Sequence, residues 1–247
     1  MNPLCPHAEP FWVAGEAFSA QEIQDLLGPY LSDERHARIR DVIAQRTYSI
    51  VPVTEGLYDR GNVSAVMRSA EAMGCQPLHM IDTSKAFKEA KRVTQGADKW
   101  LDIRIWKDTA SCVEFLRRHG YRIVVTHVRK AKPIAEVRFD VPTAIFFGNE
   151  KTGTSEELLE AANDRVMVPM QGFTRSFNIS VAAALCLYHI QQDRLRRLGR
   201  HGDLDEETRH LLTASFYLRG VPNAEEILLE MRTKRGASPD GKAKNNA

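Results

Sequence analysis

The stretch "VPMQGFTRSFNISVAAALCLYH", Val168 to His189, holds the sharpest change of character in the chain. A short apolar run ends at Pro169, a polar loop carries Gly172, Ser176 and Asn178, and an apolar helical pattern follows at once. Ser176 and Asn178 stand where that helix begins. Serine and asparagine are good N-caps, and capping alone explains them; the free amides of a first helical turn also make an anion-tolerant pocket. An apolar run, a glycine-bearing turn and a helix are the parts of a strand–loop–helix unit.

Upstream, "FFGNEKTGTSEELL", Phe146 to Leu159, repeats the plan. Gly148, Gly153 and Ser155 have the spacing of a phosphate-binding loop, yet Thr154 occupies the place of its lysine. Without that cation no side chain reaches a terminal phosphate. The plain alternative is a strand-to-helix turn in which glycine supplies backbone freedom. A third stretch, "YDRGNVSAVMRSAEAMG" (Tyr58 to Gly74), lets Asn62 cap a helix that Gly74 ends. Arg68 lies within it among Val66, Met67, Ala70 and Met73, either snorkelling to the surface or presenting its guanidinium to a phosphate or carboxylate.

Around these stretches, β-branched runs alternate with amphipathic ones. Strands are expected at Ile50–Val53, Leu78–Ile81, Leu101–Trp106, Arg122–Val128, Ala144–Phe147 and Val166–Pro169, with helices near Asn62–Met73, Thr109–His119, Ser155–Ala162 and Phe177–Gly199. The class is α/β, a parallel sheet flanked by helices. Ser19 and Glu22 form a capping-box pattern, Ser32 opens a second helix, and two more helical patterns follow residue 203. The expected organisation is an N-terminal helical extension (1–47), the α/β domain (48–200), a C-terminal helical extension (201–235) and a disordered tail (236–247).

The 247 residues carry 34 Lys and Arg against 32 Asp and Glu, so any nucleic-acid site must be a local patch. Arg35, Arg38 and Arg46 before the domain, and Arg194, Arg196, Arg197 and Arg200 at its end, supply candidates. A solvated face is the plain reading of such runs, and Glu34, Asp41 and Asp193 dilute both. Four dispersed cysteines without a C-x-x-C pair argue against a zinc site and a disulfide framework, and for a reducing compartment. No cluster has metal-ligand spacing. The longest apolar run, Val181 to Tyr188, is too short for a bilayer, and the first residues lack the pattern of a leader, so a soluble cytoplasmic protein is expected.

Taken together, N-x-x-x-x-x-R, G-N-E-K-x-G and V-P-M-x-G-x-x-x-S-x-N-x-S-V-A resemble, in order and spacing, the three motifs of the SpoU/TrmH branch of the SPOUT RNA methyltransferases. The likeness covers about Tyr48 to Gln192, and the flanking basic helices resemble those of TrmH-type tRNA ribose methyltransferases. It implies an α/β fold with a C-terminal trefoil knot, which general topology rules argue against. It also implies a homodimer, with the Val181–Ile190 face contributing, and S-adenosylmethionine-dependent 2'-O-methylation of a guanosine in the tRNA D-loop. Ribosomal RNA is the nearer alternative substrate, and a catalytically inactive RNA-binding protein the further one.

By the same resemblance Arg68, Asn62, Glu150, Ser176 and Asn178 are the catalytic set. Thr126, Gly148, Asn149, Val168, Met170 and Phe177 bind the cofactor, their glycines letting backbone approach adenosine. Phe177 replaces the family's usual Leu, Thr154 a common Leu or Ile, and Ser64 a Gly found in many ribosomal-RNA relatives, the last a pointer to tRNA.

Overall fold

The computed structural model describes residues 2–57, 59–81, 96–128, 130–149 and 152–236. Two compact units emerge, one of residues 1–6 with 44–204 and one of residues 7–43 with those from 205 onward. Both expected helical extensions therefore contribute to a single unit. Its N-terminal part begins with a hairpin, β1 (Phe11–Val13) and β2 (Glu16–Phe18), turned at Ala14 and Gly15, both at positive φ. Helix α1 (Ala20–Leu27) follows, and the capping box read from the sequence is present, Ser19 accepting from the Glu22 amide. Helix α2 runs Asp33–Ala44. The hairpin had no legible signal.

In the larger unit the strands are β3 (Ile50–Glu55), β4 (Pro77–Ile81), β5 (Asp102–Trp106), β6 (Arg122–Thr126), β7 (Lys132–Pro133), β8 (Thr143–Phe147) and β9 (Asp164–Met167). They form one parallel sheet in the order β5-β4-β3-β8-β6-β9-β7. The helices are α3 (Arg60–Ala72), α4 (Thr109–Arg118), α5 (Glu156–Ala161) and α6 (Ile179–Leu198). Helices α7 (Glu206–Gly220) and α8 (Ala224–Gly236) return to the smaller unit, where α1 packs on both. The expected tail lies outside the described residues.

Burial on both faces explains why the strands read as apolar runs rather than alternating ones. The period-two pleat still sorts them. Ile50, Leu78, Met80, Val124, Ile145 and Phe147 face one layer with α3 and α6, while Val51, Val53, Ile123, Val125 and Phe146 face the other with α4 and α5. Against α3 the inward residues of α6 are Ala183, Cys186, Leu187 and Ile190. Its outward residues Val181, Leu185 and Tyr188 recur at helical spacing and are 39–54% exposed. One helix thus carries two apolar faces.

The β3–β8 register runs from Ile50 opposite Thr143 to Thr54 opposite Phe147, so the carboxyl ends of β3, β8 and β6 lie side by side. In parallel α/β sheets that edge is where ligands bind. Where the strand order reverses, the loops after β8, β6 and β9 converge.

Candidate active site

Those loops border a cleft of about 690 Å³, lined by Thr126 at the end of β6 and His127 after it, Gly148, Asn149 and Thr154 after β8, and Val168, Met170, Ser176, Phe177 and Asn178 between β9 and α6. All six residues expected to bind a cofactor line it, as do two of the expected catalytic ones. No lining residue among those described is Lys, Arg, Asp or Glu. These residues offer hydrogen-bonding and apolar groups to whatever the cleft holds. Its volume falls within the range usual for small-molecule sites.

The loop after β8 is held from several sides. Asn149 and Gly153 exchange both backbone hydrogen bonds at 2.9 Å, and the Thr152 amide donates to Asn149 Oδ1 at 3.1 Å. Asn149 Nδ2 donates to the Gly56 carbonyl just beyond β3. Thr154 Oγ1 donates to the Thr126 carbonyl at 3.1 Å, which ties the loop to β6. Threonine in the lysine position is therefore a buried staple. Ser155 donates to the buried Glu55 and caps α5.

Gly148 requires a different reason from the expected one. A Cβ there would stand 2.6 Å from both the amide nitrogen and Oγ1 of Thr154, so the loop's own return excludes a side chain. Gly153 is at φ +75°, where other residues are strained.

The loop after β9 is exposed from Gln171 to Asn178. Asn178 caps α6, its Oδ1 accepting from the Ser180 amide at 2.9 Å and hydroxyl at 2.6 Å. Its Nδ2 donates to Asn62 Oδ1 at 3.1 Å, linking the cleft to α3. The capping and functional readings of this residue are thus compatible. Asn62 is not the cap of α3: Asp59 is, accepting from the Asn62 amide at 2.8 Å. Sequence reading passed over Asp59, although its place three residues before Asn62 is a capping spacing. It also passed over Glu55, which nothing in its local pattern distinguishes from a strand residue.

Arg68 is exposed on α3 and does not line the cleft. It stands six positions on from Asn62, a rise of about 9 Å along the helix. Glu150 lies outside the described residues. Arg35 and Arg38 are exposed on α2, and Arg196, Arg197 and Arg200 at the end of α6. Arg197 Nε bonds both oxygens of Asp193, at 2.9 and 3.0 Å, and Arg196 stands 3.5 Å from the same carboxylate.

Two expected RNA contacts are corrected by the structure. Arg46 is 1% exposed and donates to the carbonyls of Glu71 and Cys75 and, at 2.6 Å, to the Glu71 carboxylate. Arg194 is equally buried, donating to the carbonyls of Phe139 and His201 and, at 2.6 Å, to Asp203. Neither guanidinium can reach a polyanion while it serves these acceptors. Both instead fix the ends of the larger unit, where the Asp203 amide also meets the Arg46 carbonyl at 3.2 Å.

A helix-flanked parallel sheet with a cleft of small-molecule size at its carboxyl edge is the plan of an α/β enzyme. The model of the SpoU rRNA methylase family matches residues 49–188. The chain belongs to that family and is a methyltransferase of the SpoU/TrmH kind. The tRNA (guanosine(18)-2'-O)-methyltransferase of Borreliella burgdorferi is 34% identical over 203 residues, 82% of this chain and 93% of that one. The solved Aquifex aeolicus TrmH/SpoU tRNA modifying enzyme superposes with a TM-score of 0.67 at 27% identity, covering 77% of this chain and 98% of that one. A SpoU methyltransferase from Streptomyces viridochromogenes, solved with its cofactor AdoMet, shares the fold with a TM-score of 0.55 at 24% identity, over 63% of this chain and 61% of that one.

Proposed function

We propose that the chain transfers a methyl group from S-adenosylmethionine to a ribose 2'-oxygen of tRNA, on a guanosine in the D-loop. The observation that carries this reading is the cleft joined through Asn178 to Asn62, because it sets a small-molecule site beside the helix that bears Arg68. The tRNA and the guanosine are those on which the Borreliella burgdorferi relative acts by its name. Gly148, Asn149, Val168, Met170 and Phe177 hold the cofactor with Thr126 at the floor. When bound, the cofactor supplies an activated methyl group on its sulfonium.

The remaining work is positioning and proton removal. The 2'-hydroxyl must lose its proton, and an arginine side chain is not deprotonated in a protein. Arg68 accordingly grips the phosphate next to the target ribose, and that phosphate or a water accepts the proton. Asn62 orients the ribose, Ser176 and Asn178 frame the reacting centre, and Glu150 organises the neighbouring motif. No metal takes part. Arg35, Arg38, Arg196, Arg197 and Arg200 hold the RNA backbone.

The same reading carries a homodimer, a knot and a cytoplasmic site of action. The outward stripe of Val181, Leu185 and Tyr188 supports the first, since it offers a second copy an apolar helix face. Among the described residues no helix is long and apolar enough to cross a membrane, in keeping with the last.

The test is incubation of the protein with labelled S-adenosylmethionine and separate tRNA and ribosomal RNA pools, followed by nucleoside mapping. Label on a tRNA 2'-O-methylguanosine is the expected result. Label confined to ribosomal RNA would move the substrate, and label in neither pool would overturn the enzyme.

A further inference from the structure

Glu55 is a carboxylate in an otherwise apolar strand end, 8% exposed, and its partners are specific. Thr109 Oγ1 donates to it at 2.7 Å, Ser155 Oγ at 2.6 Å and the Ser155 amide at 3.0 Å. Three donors satisfy the buried charge, yet a well-packed apolar residue would hold a strand end with no desolvation cost. Its location offers a reason. Ser155 is the far end of the loop that begins at Gly148, and Asn149, near the other end, donates to the carbonyl of Gly56, the residue after Glu55. One dipeptide at the end of β3 therefore anchors both ends of the loop that lines the cleft. The same dipeptide leads within a few residues to Asp59 and α3, the helix carrying Asn62 and Arg68.

We propose that Glu55 is a positioning residue that sets cofactor affinity by fixing Ser155, and with it the neighbouring Gly153 and Thr154 of the cleft, against the end of β3. This rests on the methyltransferase reading. Glu55 touches no bound group itself; it acts through Ser155. A shift of the loop end would widen the space between Thr154 and Val168 without altering the sheet, so cofactor binding registers the loss before stability does.

The test is equilibrium dialysis of S-adenosylmethionine against the full chain, with thermal midpoints and steady-state kinetics on tRNA for the same proteins. Glu55→Gln keeps the shape and removes the charge, and is expected to weaken cofactor binding by about tenfold, the scale of a lost charged hydrogen bond. Ser155→Ala should weaken it several-fold, and the double variant little more than Glu55→Gln alone, because both act on the Glu55–Ser155 contact, while the lost cap of α5 registers in the thermal midpoint of Ser155→Ala. The KM for the cofactor carries the change, while kcat at saturation and tRNA affinity stay near wild type. Thr109→Val removes the bond from α4, which shares Oε1 with the Ser155 hydroxyl but leaves both Ser155 bonds in place, and should lower the thermal midpoint while leaving cofactor affinity unaltered.

Loop variants that bind within twofold of wild type would overturn the proposal. So would a Thr109→Val protein that loses as much affinity as Ser155→Ala, since the carboxylate would then only stabilise the fold. Should Glu55→Gln not fold, Ser155→Ala against Thr109→Val decides by itself. A wild-type protein without affinity for S-adenosylmethionine would remove the methyltransferase reading and this inference with it.

Discussion

Single arginines divide into two kinds whose difference the sequence hides. Arg194 and Arg196 are two residues apart on one helix, but the first points into the core and the second outward. Replacing Arg194 by Ala leaves Asp203 without its buried partner and is expected to cost about 3 kcal/mol of stability. Chemical denaturation measures that loss, and the salt dependence of tRNA binding should not change. Replacing Arg196 and Arg197 together should reverse the pattern: each lost phosphate contact lowers the slope of log K against log salt by about 0.7 to 0.9, with little effect on stability. At Arg68, lysine keeps the charge but loses the planar fork, so Arg68→Lys should reduce turnover at least tenfold with an unchanged thermal midpoint. Near-wild-type turnover would remove the bidentate role.

Elements were more legible than their contacts. The long helix expected over Phe177–Gly199 is α6, and the capping box at Ser19 is real, because apolar periodicity and caps are local signals. Strand positions were read to within a few residues. Expected residues through Val128 and Pro169 proved to be loop, because apolar side chains lining a cleft look like strand residues in sequence. The two-residue β7 was too short to read. The six cleft-lining residues expected to bind the cofactor were legible only through a family pattern, whereas the loop's ties to Thr126, Gly56 and Glu55 are long-range and leave no local trace.

Two element-level predictions follow from contacts. Gly148→Ala drives a methyl group into Thr154 and should weaken cofactor binding strongly in the same dialysis measurement. On β4, His79 is 3% exposed, and burial, helped by Arg104, pushes its pKa down to about 3. The neutral ring is favoured in the fold. Stability from this group is complete above about pH 6.5, its unfolded value, and declines as pH falls toward 3. His79→Phe should flatten the thermal midpoint against pH over that window, and an unchanged profile would assign the acid sensitivity elsewhere.

For the whole molecule, the outward face of α6 predicts association. Leu185→Glu places a charge in the exposed stripe and should convert a dimer into a monomer in sedimentation, because an unpaired charge cannot be buried cheaply. A wild-type chain that is monomeric at micromolar concentration, and fully active, would remove the dimer. The division into two units has a consequence in time. Residues 7–43 belong with those from 205 onward, so the inner face of α1, with Ile23, Leu26 and Leu27, awaits Leu211 and Leu212 of α7. The intervening 44–204 is 161 residues, counting inclusively from one bound to the other. At about 5 to 20 residues per second, a ribosome needs roughly 8 to 32 s to deliver them. During that interval α1 stays without its partner, so this segment of the growing chain is where a chaperone would be expected to sit.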